Sequence, residues 1–270
     1  MMSRNRFLVA LRRLGPALPA AVLVTGAFVW PVVRLCAVGL LPVRGGHSGV
    51  MRVLGEAPYR RALLGSLMLS LGVSLGAVAL CLPAALALAR GRFRGRRLLR
   101  AALAMPLALS GVVVGFLTVA MLGQAGALPV LLGAPWLAGS AYGLGGLGLA
   151  YLYFEVPRAT LTLEAALGAL DEGLFDAART LGARPGQVVR YVLLPLCAPA
   201  LRSALGVTFA ASLGSFGAAL ILAGRFPVLT VELYRALTGT LDDSLAAGMA
   251  LVLAAIGGAM LALCTRGRAS

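Results

Sequence analysis

Few side chains in this sequence could carry out catalysis. The 270 residues contain one histidine, His47, and no lysine, which excludes a phosphate-binding loop with its lysine and a two-histidine zinc helix. The four cysteines are isolated, without the spacing of metal ligands or of a disulfide framework. The nine acidic residues are scattered and suggest no catalytic carboxylate pair. We therefore expect no catalytic residue, no metal site and no cofactor bound to this chain.

Glu155 and Arg158 suggest another kind of chemistry, because they stand three residues apart at the end of a long apolar stretch. An ionisable group at membrane depth is costly, so it often marks the path of a substrate or an ion. Two interpretations stay open. Glu155 could attract a cationic substrate, or the two side chains could form a local ion pair on one face of a helix.

The composition around this pair is that of a membrane protein. The chain is 60% hydrophobic and 12% charged, whereas about a quarter of the residues in soluble domains are charged. A helix crosses the bilayer core in about 20 residues. The apolar windows therefore predict an all-α membrane protein, a single domain over residues 1–270, with six spans at 14–41, 62–89, 101–122, 142–163, 200–223 and 244–264. The first window is longer than the core of a signal peptide, so we expect it to be retained.

The arginines predict the orientation of these helices. With six spans, both termini and the second and fourth loops share one side of the membrane, which would hold 16 arginines against six on the other. Cytoplasmic segments carry the excess of positive charge, so we place the termini and these two loops in the cytoplasm. The net charge of +15 then fits topology and contacts with anionic lipid, and we expect no binding to nucleic acid.

The fourth loop, residues 168–197, is polar and jointed between two apolar runs. Gly182 suits the left-handed position that closes a helix, and Pro185 suits the first turn of a second helix. We expect that second helix to run until Pro195 and Pro199 interrupt the backbone. The first helix is predicted to be short and amphipathic, because apolar residues recur at helical spacing at Leu170, Leu174, Ala177, Ala178 and Leu181.

The same loop resembles the EAA loop of permease subunits of binding-protein-dependent ABC importers. The family pattern is Glu-Ala-Ala, three residues, Gly, nine residues, Ile, one residue, Leu-Pro. At the matching spacing this sequence has Asp176, Ala177, Ala178, Gly182, Val192, Leu194 and Pro195. Asp for Glu and Val for Ile keep the chemistry, whereas a second triplet that begins at Glu164 fails the spacing. The likeness extends over about residues 60–265.

This resemblance implies the type I importer permease fold, with six spans and a cytoplasmic coupling helix between spans four and five. It implies that a separate ATPase subunit binds the ATP and docks on the loop. The other implied partners are a second permease subunit, in a homo- or heterodimer, and an extracytoplasmic substrate-binding protein, at the plasma (inner) membrane of a prokaryote. The docking residues would be Leu174, Asp176, Ala177, Ala178, Leu181, Gly182, Ala183, Val192, Leu194 and Pro195. The alternative is an amphipathic helix that lies on the lipid headgroups.

The resemblance also suggests where the solute passes. The family tends to place small polar and aromatic residues in span five, so Ser212, Ser215 and Phe216 join Glu155 as possible pathway residues. Close helix packing is the alternative for the serines. Among the permeases of this family, the sequence most resembles those for polyamines, ferric iron, thiamine or phosphonates, followed by those for sulfate or molybdate. A stand-alone ion-coupled transporter is the alternative function, with Glu155 as its one credible coupling acid. We expect segment 224–243 to contact the binding protein, with an ordinary interfacial loop as the alternative.

Overall fold

The computed structural model describes residues 18–42, 46–91, 93–171 and 173–266, and helices connected by short turns make up this part of the chain. The α-helices are α1 (Leu18–Leu40), α2 (Gly49–Gly55), α3 (Ala57–Arg90), α4 (Arg96–Ala108), α5 (Gly111–Leu122), α6 (Ala127–Leu131), α7 (Leu144–Gly168), α8 (Gly173–Thr180), α9 (Pro185–Val188), α10 (Leu194–Leu213), α11 (Gly217–Leu222), α12 (Leu229–Arg235) and α13 (Asp243–Thr265). A short 3-10 helix covers Pro135–Leu137, and π-helical turns cover Val189–Leu193 and Ala236–Thr240.

The lengths of the apolar helices suit a lipid bilayer. Within the described residues, four helical stretches are long and apolar enough to cross a membrane: Ala57–Ala89, Gly111–Leu131, Gly186–Leu213 and Asp243–Thr265. The described part of the first predicted span holds a shorter apolar helix, Thr25–Leu40, and residues 14–17 of that span lie outside the described residues. The all-helical membrane fold predicted from the sequence is confirmed.

The centre of the bundle is formed by α3, α7 and α10. α3 packs along α7, and α10 packs against α3, α7 and α13. Three apolar clusters fill the contacts, around Tyr151 and Leu222, around Phe209 and Met249, and around Leu163 and Cys197. Alanine, glycine and serine recur at these contacts, because helices in lipid associate through close van der Waals packing rather than by excluding water.

Two predicted spans are broken in the middle. The window 101–122 is divided at Leu109, where Ser110 then caps α5 by accepting a hydrogen bond from the Val113 amide at 3.4 Å. The window 200–223 is divided between the end of α10 at Leu213 and the start of α11 at Gly217. The hydropathy windows do not show these breaks, because hydropathy reports apolar content and not the local backbone conformation that ends one helix and begins the next.

The two breaks lie next to each other. A Cβ atom on Gly217 would lie 2.8 Å from the amide nitrogen of Val112, and one on Gly111 would lie 3.1 Å from that of Ala218. The backbones of α5 and α11 therefore touch where each helix begins, and only glycine fits at the crossing. This contact holds the second halves of both broken spans together.

The short helix α2 closes one end of the bundle by packing on the start of α13. Arg52 donates to Asp242 with 2.6 Å between Nη1 and Oδ2, and to Glu56 with 2.9 Å between Nε and Oε1. The hydrogen bond from Arg52 holds the pKa of the Asp242 carboxyl below its ordinary value. The ion pair thus stays formed at neutral pH and fixes α2 at this end.

Candidate functional site

The local geometry of loop 168–197 matches the predicted helix, corner and second helix. α8 begins at Gly173, whose amide donates to Asp171 Oδ1 at 2.9 Å. It ends at a corner where Gly182 has a φ of +82°, a left-handed conformation that costs glycine little. The amides of Leu181 and Ala183 close this corner by donating to carbonyl groups of the last turn, each at 3.1 Å.

The second helix begins at Pro185 as predicted but does not stop at the later prolines. Gln187 Oε1 accepts a hydrogen bond from the Arg184 amide at 2.8 Å and so caps its first turn. The helix then continues through a π-helical turn, Val189–Leu193, into α10. The Leu194 amide closes this turn by donating to the Val189 carbonyl oxygen, and Pro195 follows it directly. The expectation that Pro195 and Pro199 interrupt the backbone was wrong, because a π turn precedes them and the helix runs on.

One face of α8 is apolar and exposed. Leu174 is 46% exposed and Leu181 is 88% exposed, and Ala177 between them is exposed as well. Spacings of three and four residues put these side chains on one side of the helix. Such a face is unusual for a segment that touches only water, and it suits either a protein partner or the lipid headgroups.

The opposite edge of the loop rests on the bundle. Ala178 and Ala183 are partly buried against a cluster that includes Leu163 and Leu193, and α8 packs on α9 and on the π-helical turn that leads into α10. Val192 and Leu194 are half-buried, Pro195 and Gly182 are exposed, and the side chain of Asp176 lies outside the described residues. The predicted docking residues are therefore divided between a free face and an anchored edge.

The charged pair in the apolar interior is the local ion pair considered from the sequence. Glu155 is 3% exposed in the middle of α7, and Arg158 Nη1 lies 2.5 Å from its Oε1. The second oxygen, Oε2, is buried and has no partner within the described structure. A buried acceptor left unpaired is costly, so this oxygen could accept a hydrogen bond from another group.

The break between α10 and α11 lies close to this pair. At this break the backbone carbonyl oxygen of Ser215 accepts hydrogen bonds from the Tyr151 hydroxyl at 2.8 Å and the Thr230 hydroxyl at 3.2 Å. Tyr151 precedes Glu155 by one turn of α7, and Ser212 precedes Ser215 by about one turn of the antiparallel α10. Glu155 and Ser212 therefore lie at a similar depth, and the buried Ser212 hydroxyl also lacks a described partner.

Phe216 lines a cavity of about 280 Å³ beside the same break. Its ring centroid lies 5.2 Å from that of Tyr234 in α12, and Thr230 and Leu253 complete the wall. The segment 224–243 therefore folds back in part into the bundle. Its residues from 228 to 231 are buried, while Tyr234 and Leu241 stay exposed. The sequence indicated neither Tyr151 nor Thr230, since each meets the break only through tertiary contacts, whereas Tyr234 belongs to segment 224–243, for which the sequence predicts contact with the binding protein.

Residues 72–266 match the family described as the binding-protein-dependent transport system inner membrane component. The chain belongs to this family. The permease is 36% identical over 189 residues to a probable molybdenum ABC transporter permease protein of Haloferax volcanii, covering 70% of this chain and 68% of the relative. It is 34% identical over 198 residues to the molybdenum transport system permease protein of Mycobacterium tuberculosis, covering 70% of this chain and 75% of the relative.

A solved structure shares the fold of the permease. A chain of a bacterial ABC transporter involved in the import of the acidic polysaccharide alginate superposes with a TM-score of 0.78 at 18% identity. The superposition covers 98% of this chain and 100% of the other. At this identity the likeness establishes the fold alone.

The family resemblance stated from the EAA spacing is confirmed. The permease is the membrane-embedded subunit of an ABC importer, and its ATPase is a separate subunit. Membership also implies a substrate-binding protein as a partner, as the family description says. The alternative of a stand-alone ion-coupled transporter is not favoured.

Proposed function

We propose that the permease forms one half of a dimeric importer for a small oxyanion of the molybdate class. The support for this solute is the identity of 34 to 36% with permeases named for molybdenum. The sequence resemblance alone placed molybdate after polyamines, ferric iron, thiamine and phosphonates as the expected solute. The identity with the molybdenum permeases now places molybdate first. We expect no cofactor in the chain itself, because the ATP is bound by the partner subunit.

The observation that carries the coupling proposal is the exposed apolar face of α8 at the EAA spacing. In this proposal Leu174, Ala177 and Leu181 dock on the ATPase, and the small side chain of Ala177 permits close approach. Because Ala178 and Ala183 rest on the bundle, a displacement of α8 is passed to α7 and α10. ATP-driven closure of two ATPase subunits would thereby switch the path between inward-open and outward-open states.

We further propose that the permease has six spans, with α1 and α7 added to the four apolar helices described above. α7 has 25 residues, or about 37 Å of helix, so it is long enough to cross. The arginine count then puts α8 and both termini in the cytoplasm. The exposed residues of segment 224–243 lie on the outer side, where they would face the binding protein.

For the pathway we propose that Arg158 supplies the positive charge and that Glu155 fixes its position. The Arg158 side chain is 33% exposed, whereas that of Glu155 is 4% exposed. A charge at this depth faces a water-filled path or another protein chain rather than lipid. The hydroxyls of Ser212 and Ser215 and the ring of Phe216 would line the same path at the break. An oxyanion is attracted by such a cation and accepts hydrogen bonds from hydroxyls.

The docking proposal is tested by substituting two exposed leucines at opposite ends of the bundle. We expect Leu181→Asp to abolish copurification of the permease with its ATPase, because it replaces the most exposed apolar side chain of the docking face with a charge. Leu241→Asp is the matched control. Its side chain is 77% exposed but belongs to the other end, and we expect normal ATPase binding. Equal ATPase recovery with both variants would refute docking through α8.

The solute class is tested on the binding protein itself. Calorimetric titration should show tight binding of molybdate and no binding of spermidine or thiamine. Tight binding of a cation would refute the oxyanion assignment while leaving the coupling proposal intact.

A further inference from the structure

Glu164 ties three helix ends together on the side of the bundle that carries α8. It is 7% exposed, and its Oε2 accepts a hydrogen bond from Arg100 Nε at 3.2 Å while Oε1 accepts from Arg100 Nη2. Arg96 Nη2 lies 3.7 Å from the same Oε1 and 3.5 Å from the carbonyl oxygen of Ala89. The carboxylate of α7 thus joins α4 directly and the end of α3 through Arg96.

This cluster differs from an ordinary surface ion pair in its two-point geometry and in the burial of its carboxylate. A guanidinium that donates twice to one carboxylate fixes both distance and orientation. Because Glu164 is shielded from water, salt screens the attraction less than it screens an exposed pair. The sequence offered only topology as a role for Arg96 and Arg100, since the carboxylate partner of Arg100 lies 64 residues away.

The position of the cluster connects the loop to the two helix breaks. α7 ends at Gly168, four residues after Glu164, and α8 begins at Gly173. α4 leads across its break into α5, which touches α11 at the crossing of Gly111 and Gly217. A rigid link between α7 and α4 therefore gives α8 a second mechanical route to the centre of the bundle.

We propose that Glu164 is a positioning residue that makes α4 move together with α7 when α8 is displaced. The inference rests on the proposed function, in which α8 docks on the ATPase. Without the link, a displacement of α8 moves α7 but not α4 and α5. The break between α4 and α5 and the break between α10 and α11 then no longer move together. ATP hydrolysis then continues with less solute moved per ATP.

Loss of either partner leaves a different defect. The Arg100 side chain is 49% exposed and that of Glu164 is 8% exposed. In Glu164→Gln the freed guanidinium stays partly in water. In Arg100→Gln a buried carboxylate keeps, among the described side chains, Arg96 alone as a cationic neighbour, at 3.7 Å. We therefore expect Arg100→Gln to lower the melting temperature more than Glu164→Gln.

The test is a double-mutant cycle in the complete importer, reconstituted with its ATPase and binding protein in vesicles and supplied with radiolabelled molybdate. Glu164→Gln should copurify with the ATPase and hydrolyse ATP at the wild-type rate, but move about tenfold less molybdate per ATP. The variant that carries both Glu164→Gln and Arg100→Gln should move as much molybdate per ATP as Glu164→Gln alone, because the two side chains act as one pair. Arg97→Gln is the control. Arg97 is exposed on α4 and forms no ion pair within the described structure, so its variant should transport normally.

Three results would overturn the inference. The first is a wild-type ratio of molybdate moved to ATP hydrolysed in Glu164→Gln. The second is a variant with both substitutions in which the two losses of this ratio add up. The third is a parallel loss of ATPase binding, ATP hydrolysis and transport in Glu164→Gln, which would indicate a purely structural role. If Glu164→Gln does not accumulate in the membrane, Arg100→Lys replaces it in the test, because it keeps a cation beside Glu164 but loses the two-point hydrogen bond and should lower the same ratio. Failure of the wild-type permease to bind the ATPase would instead refute the proposed function.

Discussion

At the scale of single residues, Glu155 and Arg158 form a pair on one turn of helix in which the acid is buried and the cation is partly exposed. The carboxylate is shielded by protein and satisfied on one oxygen, while the guanidinium remains partly exposed. Burying the acid stabilises the assembly only as long as the cation stays beside it. The pair thus places one positive charge at a fixed point in an apolar interior.

Substitutions at these two positions distinguish an anion path from a cation path. Glu155→Gln keeps an acceptor for Arg158 and should leave molybdate uptake within about threefold of wild type. Arg158→Gln should reduce uptake by about tenfold or more, since it removes the charge that the solute meets. Vesicle uptake measures both, and Arg158→Lys is the control that keeps the charge and should retain most of the activity.

The reverse order would contradict this assignment. Strong loss in Glu155→Gln with retained uptake in Arg158→Gln would make Glu155 the pathway group and favour a cationic solute.

At this scale the sequence predicted what depends on neighbours along the chain. The left-handed Gly182, the first-turn Pro185 and the ion pair on α7 all follow from local spacing. The contact of Tyr151 with Ser215 and that of Arg100 with Glu164 each join residues 64 positions apart. No local pattern could have predicted them.

At the scale of elements, the crossing of α5 and α11 should be sensitive to a single methyl group. Gly217→Ala places a Cβ atom 2.8 Å from the Val112 nitrogen, which forces the two backbones apart. We expect a loss of about 1–3 kcal/mol in stability, measured by thermal unfolding in detergent.

Gly258→Ala in α13 is the matched control, because a Cβ atom there meets no atom within 4 Å. It should be neutral, or stabilising by up to about 1 kcal/mol from the gain in helix propensity. Equal stability of the two variants would show that the helices do not touch at Gly217.

The elements also show where hydropathy stops being informative. Apolar windows locate the helices within a few residues, as for the predicted 244–264 and the observed Asp243–Thr265. They miss the break at Ser110 and the continuation of the helix past Pro195, because both depend on hydrogen bonds of the backbone. These two irregular places lie next to the proposed path and the proposed coupling loop.

At the scale of the whole molecule, the proposed orientation places two exposed leucines on opposite sides of the membrane. With Cys36, Cys81, Cys197 and Cys264 replaced by alanine, a single cysteine can be introduced in place of Leu181 or of Leu241. A membrane-impermeant thiol reagent added to intact cells should label the variant Leu241→Cys and not Leu181→Cys. The opposite pattern would place α8 outside and invert the topology.

The coupling of uptake to a separate ATPase is tested most directly by transport into vesicles of defined composition. Permease, ATPase and molybdate-loaded binding protein are combined, and each component is then omitted in turn. We predict that molybdate accumulates only when all three proteins and ATP are present, and that Leu181→Asp abolishes accumulation. Uptake by the permease alone under an ion gradient, or ATP-driven uptake that survives Leu181→Asp, would contradict this account.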